Sequence, residues 1–247
     1  MKHLGKIICF SVFSVFTLFS FGQNRMVIVD ENSTPVVIND TLFIKKDSLY
    51  SIFIDTTGNP VYYEKLADFS MDGYEKDSYE ETLKQLKAKN GELTAWEPDE
   101  FPRKWRDLYL YNGEYYIYYP CDFCGNYRIC VTDTTFIDYM CDGAVANKIQ
   151  EYKKLDDSTF YFRITSPVNT NDRLLTIHLI DAARGIAVFQ TDLFSGESVY
   201  NLMVDVEKLR KFPVIVNKCD QWKVLEMNFP EPDFEQLIKD MITDKEH

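Results

Sequence analysis

From residue 107 onward, apolar and polar side chains alternate in short runs, each closed by turn chemistry. This period of two predicts strands near 107–111, 114–120, 126–132, 135–141, 146–155, 159–165, 173–180, 186–191, 198–204, 213–217 and 221–227. The connections are short: Asn112-Gly113, Asp156-Asp157, residues 183–185 and Ser195-Gly196. Parallel strands need a long crossover, so neighbours joined this closely are antiparallel. Upstream, β-branched and apolar runs at 26–30, 36–38, 41–44 and 50–54 also predict strands, with Thr57-Gly58-Asn59-Pro60 read as a turn. Helical spacing occurs twice. In 79–90, Tyr79, Leu83 and Leu86 share a face, Ser78 and Glu81 form a capping-box pattern, and Gly91 ends the run. In 232–242, Phe234, Leu237, Ile238, Met241 and Ile242 form an apolar face, with Pro232 at the first helical position. Residues 205–211 add one helical turn. The expected fold is all-β: an antiparallel up-and-down meander closed or nearly closed into a barrel, with two short amphipathic helices packed outside.

Asn112-Gly113 between apolar runs is a strong signal for a two-residue hairpin turn with both residues at positive φ. It pairs Tyr111 with Glu114, Leu110 with Tyr115, Tyr109 with Tyr116 and Leu108 with Ile117. Alternation then places Leu108, Leu110, Tyr115, Ile117 and Tyr119 on one face, and Tyr109, Tyr111, Glu114, Tyr116 and Tyr118 on the other. Pairing Tyr119 with Tyr127 in the next strand would add Ile129 and Val131 to the first face, and Arg128 and Cys130 to the second. The second face is a candidate ligand- or partner-binding surface, because tyrosine combines a stiff apolar ring with a polar tip. The competing reading is that the tyrosines pair with one another to stabilise the sheet.

The N-terminus changes the setting. Lys2 and Lys6 precede a charge-free apolar run at 7–21, and Ser20-Phe21-Gly22 supplies small residues before a cut. This predicts a signal peptide over 1–22, cleavage near Gly22, and export to the periplasm or medium. Residues 23–247 then form a single β-rich domain: N-terminal strands and helix 23–91, main meander 105–229, and C-terminal helix 232–242, with no membrane span after cleavage. Five cysteines would remain, an odd number in an oxidising compartment, so bridges are expected with at least one thiol left over. Cys121-x-x-Cys124 could suggest a zinc site or a redox pair. However, no histidine is near, and the motif falls between strands rather than opening a helix. A hairpin of 126–132 with 135–141 returns Cys141 to within reach of Cys124 or Cys121. These three are the disulfide candidates, leaving Cys130 or Cys219 over.

The remaining chemistry is sparse. The formal charge of −12 repels phosphate backbones, which argues against nucleic acid. Nucleophile elbows, zinc-protease motifs, phosphate loops and calcium loops are all missing. No catalytic residue, metal or cofactor is assigned. Glu114, Asp122, Asp138 and Asp142 are the carboxylates from which a hydrolase could be built. Residues 105–247 resemble secreted bacterial lipocalin-like β-barrel domains in topology, though without their Gly-x-Trp motif. The resemblance implies a lumen lined by residues such as Phe160, Phe162, Ile177 and Val188, holding a small apolar ligand. The expected function is an exported, non-catalytic binding or interaction protein of the cell envelope. Its partner is that small apolar ligand or an unknown protein; an acidic protein-binding module of the inhibitor or immunity type is the alternative.

Overall fold

A computed structural model describes residues 28–29, 41–44, 51–55, 57–95, 101–125, 127–168, 171–193, 196–218 and 226–244. The signal-peptide segment, the expected strand at 36–38 and most of that at 221–227 lie outside these residues. The described chain is mostly β, with strands β1 (Ile28–Val29), β2 (Thr41–Ile44), β3 (Ser51–Asp55), β4 (Lys104–Asp107), β5 (Tyr109–Tyr111), β6 (Glu114–Tyr119), β7 (Arg128–Val131), β8 (Thr135–Met140), β9 (Gly143–Asp156), β10 (Thr159–Thr165), β11 (Asp172–Asp181), β12 (Ile186–Asp192), β13 (Ser198–Asp205) and β14 (Val214–Lys218). Seven consecutive strands, β7 to β13, run as an antiparallel meander, and β4 pairs with both β13 and β7 to close an eight-stranded barrel. The expected barrel is therefore present.

Its first hairpin is not part of it. The β5–β6 hairpin leaves the barrel and joins a second sheet, ordered β1-β2-β3-β14-β6-β5, in which β6 pairs with β14 in parallel. The expected pairing of Tyr119 with Tyr127 does not form. Instead Tyr119 lies opposite Val216, and Ile129 and Val131 turn into the barrel while Ile117 belongs to a separate core. Arg128 and Cys130 consequently lie away from Tyr116 and Tyr118. The physical reason is that the β6–β7 connection is not a tight turn. It holds a 3-10 turn, Phe123–Gly125, and both faces of β6 are apolar enough to be buried between layers.

Alternation fills the barrel. Trp105, Phe136, Phe160, Phe162 and Phe189 point inward with Ile177, Leu175 and Met203, and Phe101 seats its ring among those of Trp105, Phe160 and Phe162. Eight strands enclose a space just wide enough for side chains. The void near Asp138 and Phe189 amounts to about 10 Å³. Val188 is not in the lumen: Ala187 and Phe189 face in, so Ile186 and Val188 face out. There they meet Val204, Ile117, Val214 and Val216 in a core shared with the second sheet.

Helix α1 (Pro60–Ala67) begins at the end of the Thr57-Gly58-Asn59-Pro60 stretch expected to be a turn between strands. Asn59 caps it by accepting from Val61 N, and Pro60 takes the first helical position, where its missing N–H costs nothing. Tyr63 and Leu66 join the shared core. Helix α2 (Gly73–Asn90) begins six residues before the expected start at residue 79, because Asp72 and Glu75 make a second capping box upstream of Ser78 and Glu81. It ends at Gly91, as expected, and lies on β9, where Thr82 Oγ1 accepts Ala146 N at 3.0 Å. Helix α3 (Phe234–Asp244) is capped by Asp233, whose carboxylate accepts Gln236 N, so Pro232 lies before the helix rather than at its first turn. Phe234, Leu237, Ile238 and Met241 face the protein, and Ile242 is exposed. Asp205 caps the short 3-10 turn Val206–Lys211.

Candidate functional site

The hairpin turns as the sequence predicts. Asn112 and Gly113 have φ of 52° and 82°, and the pairs Tyr109–Tyr116, Leu110–Tyr115 and Tyr111–Glu114 form. Tyr109, Tyr111, Tyr116 and Tyr118 share one face with Ile52 and Ile215 of the second sheet. Residues 226–229 lie across that face. Phe229 stacks on Tyr109 with ring centroids 4.1 Å apart and meets Tyr111 and Tyr118 edge-on. Tyr118 donates to Glu226 Oε2 and accepts from Met227 N at 3.1 Å. Asn217 Nδ2 bonds both Tyr118 Oη and Glu226 Oε2. Burial, with the Glu226 carboxylate as acceptor, pushes the Tyr118 phenol well above its ordinary range. Tyr116 and Tyr118 are thus covered, Tyr109 and Tyr111 half-covered, and Glu114 is exposed at the tip.

The open part of this region is a cleft of about 410 Å³ where the hairpin base, β13 and residues 227–234 meet. Leu108, Tyr109, Tyr200, Leu202, Phe229 and Phe234 provide an apolar and aromatic wall. Tyr200 and Phe234 stack at 5.3 Å. Two acidic residues line the cleft, Asp107 on the strand side and Glu231 on the segment opposite. Alternation along β4 turns Trp105 into the barrel and Arg106 outward, so Asp107 comes to the barrel's end facing the cleft. It is half-buried and lines the cleft. Burial raises its carboxyl to about 7, against the opposing pull of Arg106 and a hydrogen bond with Tyr109. The Tyr109 phenol moves up for matching reasons, burial first and Asp107 second.

Behind the cleft, the same end of the barrel holds a closed polar cluster. Asp138 accepts from Tyr127 Oη at 2.9 Å, Asn147 Nδ2 at 2.9 Å and Arg173 Nη2 at 2.8 Å. Burial alone would lower the Arg173 guanidinium, but Asp138 and Tyr127 outweigh it and hold its proton more tightly. Of the four carboxylates considered for hydrolysis, Asp138 is committed to this cluster. Glu114 belongs to the other sheet, and Asp122 and Asp142 lie in turns, so Glu114 and Asp138 do not converge.

The cysteine turn is a staple. Cys124 is bridged to Cys141, 17 residues on. Cys121 is also disulfide-bonded, and Cys130 is a free, half-buried thiol. Cys121 and Cys124 therefore do not form a redox pair with each other. Among the described residues, no three His, Cys, Asp or Glu side chains gather to hold a metal ion, and no helix is long and apolar enough to cross a membrane.

Sequence reasoning found Tyr109 but missed Asp107 and the role of residues 227–234. Arg106-Asp107, charged residues directly before the apolar run at 108–111, was the available signal. The partner segment lies more than a hundred residues away and carries no periodicity. The molecule is an eight-stranded antiparallel barrel flanked by a second sheet and a few short helices. The chain matches no protein-family model, no curated protein and no solved structure.

Proposed function

We propose that this is an exported, non-catalytic binding protein that holds a small, uncharged, largely apolar ligand in the cleft beside the barrel, not in its lumen. The observation that carries this reading is the contrast in space. The lumen is packed with aromatic rings, whereas the cleft offers about 410 Å³, within the range of small-molecule sites, which run from roughly 300 to 1,000 Å³. Aromatic walls with a few polar groups, here Asp107, Asn201, Asn228 and Glu231, are the usual composition of such sites. With its carboxyl near 7, Asp107 is largely protonated in mildly acidic solution and can donate a hydrogen bond to a ligand carbonyl or hydroxyl.

The test is a titration with the neutral fluorescent probe N-phenyl-1-naphthylamine, followed by amide chemical shifts. Saturable binding with shifts concentrated at 107–110, 200–202 and 227–234 is expected. Shifts confined to inward-facing barrel residues, or no saturable binding, would sink the reading.

A further inference from the structure

A second hollow lies on the opposite side of β4. It measures about 550 Å³ and is bounded by the α1–α2 connection, β4, β7 and the β8–β9 turn. Its floor is cationic in a chain with 39 acidic residues against 27 basic. Arg106 and Arg128 are direct cross-strand partners in the β4–β7 ladder, and their relative exposures are only 3% and 7%. Like charges directly opposite on one face of a sheet destabilise it, and burying them raises the cost. Arg106 Nε donates to Leu66 O at 2.6 Å. Glu75 accepts from Arg128 through Nη2 alone, at 2.9 and 2.8 Å. Arg128 Nε is buried without a hydrogen-bond partner. A side chain 92% buried (8% exposed) thus lines a sizeable hollow with part of its donor fork unused.

The other carboxylates of the hollow are held first by local hydrogen bonds, and that of Asp68, lowered chiefly by Ser70, is drawn down further by Arg128 and Arg106. Asp68 accepts Ser70 N at 2.8 Å, and Asp72 accepts Glu75 N at 2.8 Å as the cap of α2. Burial and the neighbouring Arg128 together bring the Arg106 guanidinium down to about 10, as expected where positive charge is concentrated. The rim is open and mixed: Tyr74 is 63% and Met140 48% exposed, beside exposed Lys65, Asp68, Ser70 and Asp72, and Met71 also lines the hollow.

We propose that this hollow binds a small amphipathic organic anion. Its carboxylate lies over Arg128 and Arg106, and its apolar body lies against Met71, Tyr74 and Met140. A guanidinium fork matches a carboxylate in shape as well as charge. A phosphate ion alone would leave Met71, Tyr74 and Met140 unused.

Octanoate is the probe, titrated into the disulfide-bonded protein by calorimetry. Saturable binding that weakens about tenfold or more in Arg128→Gln is expected, a change of about 1.4 kcal/mol. Because Arg128 is buried and that variant could fail to fold, Met140→Glu serves as the second variant. It sets a negative charge on the exposed rim and should weaken octanoate by a similar factor while leaving the melting temperature unchanged. Asn201→Phe, which narrows the other cleft, should leave octanoate affinity unchanged. The proposal is overturned if octanoate does not bind at up to about 10 mM, if Met140→Glu binds it as well as wild type, if Asn201→Phe abolishes binding, or if inorganic phosphate binds as tightly as octanoate.

Discussion

The barrel interior and the cleft beside it are built from similar residues to opposite ends. Inside, Phe136, Phe160, Phe162, Phe189 and Trp105 interlock around Phe101 with almost no free volume. Outside, Tyr109, Tyr200, Phe229 and Phe234 line a gap and meet in pairs, at 4.1 Å for Tyr109–Phe229 and 5.3 Å for Tyr200–Phe234. The difference arises from what supplies the opposing wall. In the barrel every ring is opposed by another strand at fixed spacing. At the cleft the opposing wall is residues 227–233, which run without strand or helix, and Phe234 at the start of α3. An aromatic-rich barrel strand therefore says little about a binding lumen, because in eight strands the rings themselves can be the filling.

Truncating the filling should have the largest effect. Phe162 is fully buried and touches the rings of Phe101, Phe136 and Tyr152. Phe162→Ala should lose about 3–5 kcal/mol in urea unfolding while retaining cleft binding. A loss below about 1 kcal/mol would mean that the barrel tolerates empty space, against the contrast drawn here. Next comes the staple that ties the chain's passage from the second sheet back to the barrel. Cys124→Ser with Cys141→Ser should cost about 3 kcal/mol in the chain-entropy view for a loop of this length, measured by the same unfolding.

Asp107 probes the cleft by pH. Its carboxyl stands at about 7 folded, against 3.8 as its ordinary value. The folded state therefore binds its proton more tightly. This contribution is fully favourable below about pH 4, is lost as pH rises toward 7, and is flat above. Asp107→Asn should abolish that slope. It should stabilise the protein by about 1–2 kcal/mol at roughly pH 8, discounted for the part of the carboxyl that meets solvent, and by nothing near pH 4. Equal effects at both values would place Asp107 outside a low-dielectric wall. The smallest change is at the hairpin tip: Gly113 sits at φ 82° with open space around it, so Gly113→Ala should cost about 1 kcal/mol from backbone strain alone.

Much of this fold was legible in the sequence wherever neighbours in sequence are neighbours in space. The meander from β7 to β13, the Asn112-Gly113 turn, the sorting of its faces and the return of Cys141 to within reach of Cys124 or Cys121 follow from period-two patterning and short turns. What escaped were pairings between distant segments: β4 closing the barrel between β13 and β7, β6 lying parallel to β14, and residues 226–229 covering the tyrosines. Val188 was misplaced because β12 is apolar on both faces, so alternation alone could not say which face was the lumen. Asp107 and the arginine pair went unseen for the same reason. Arg106 and Arg128 face each other only through the β4–β7 register, which no local pattern encodes.

The central claim is that ligand space lies beside the barrel and not within it. N-phenyl-1-naphthylamine titrated into wild type and Asn201→Phe tests it most directly, since Asn201 is exposed and lines the cleft. Saturable binding by wild type is expected, lost or weakened at least about tenfold in the variant, with unchanged stability. Binding that is equally strong in both would contradict it.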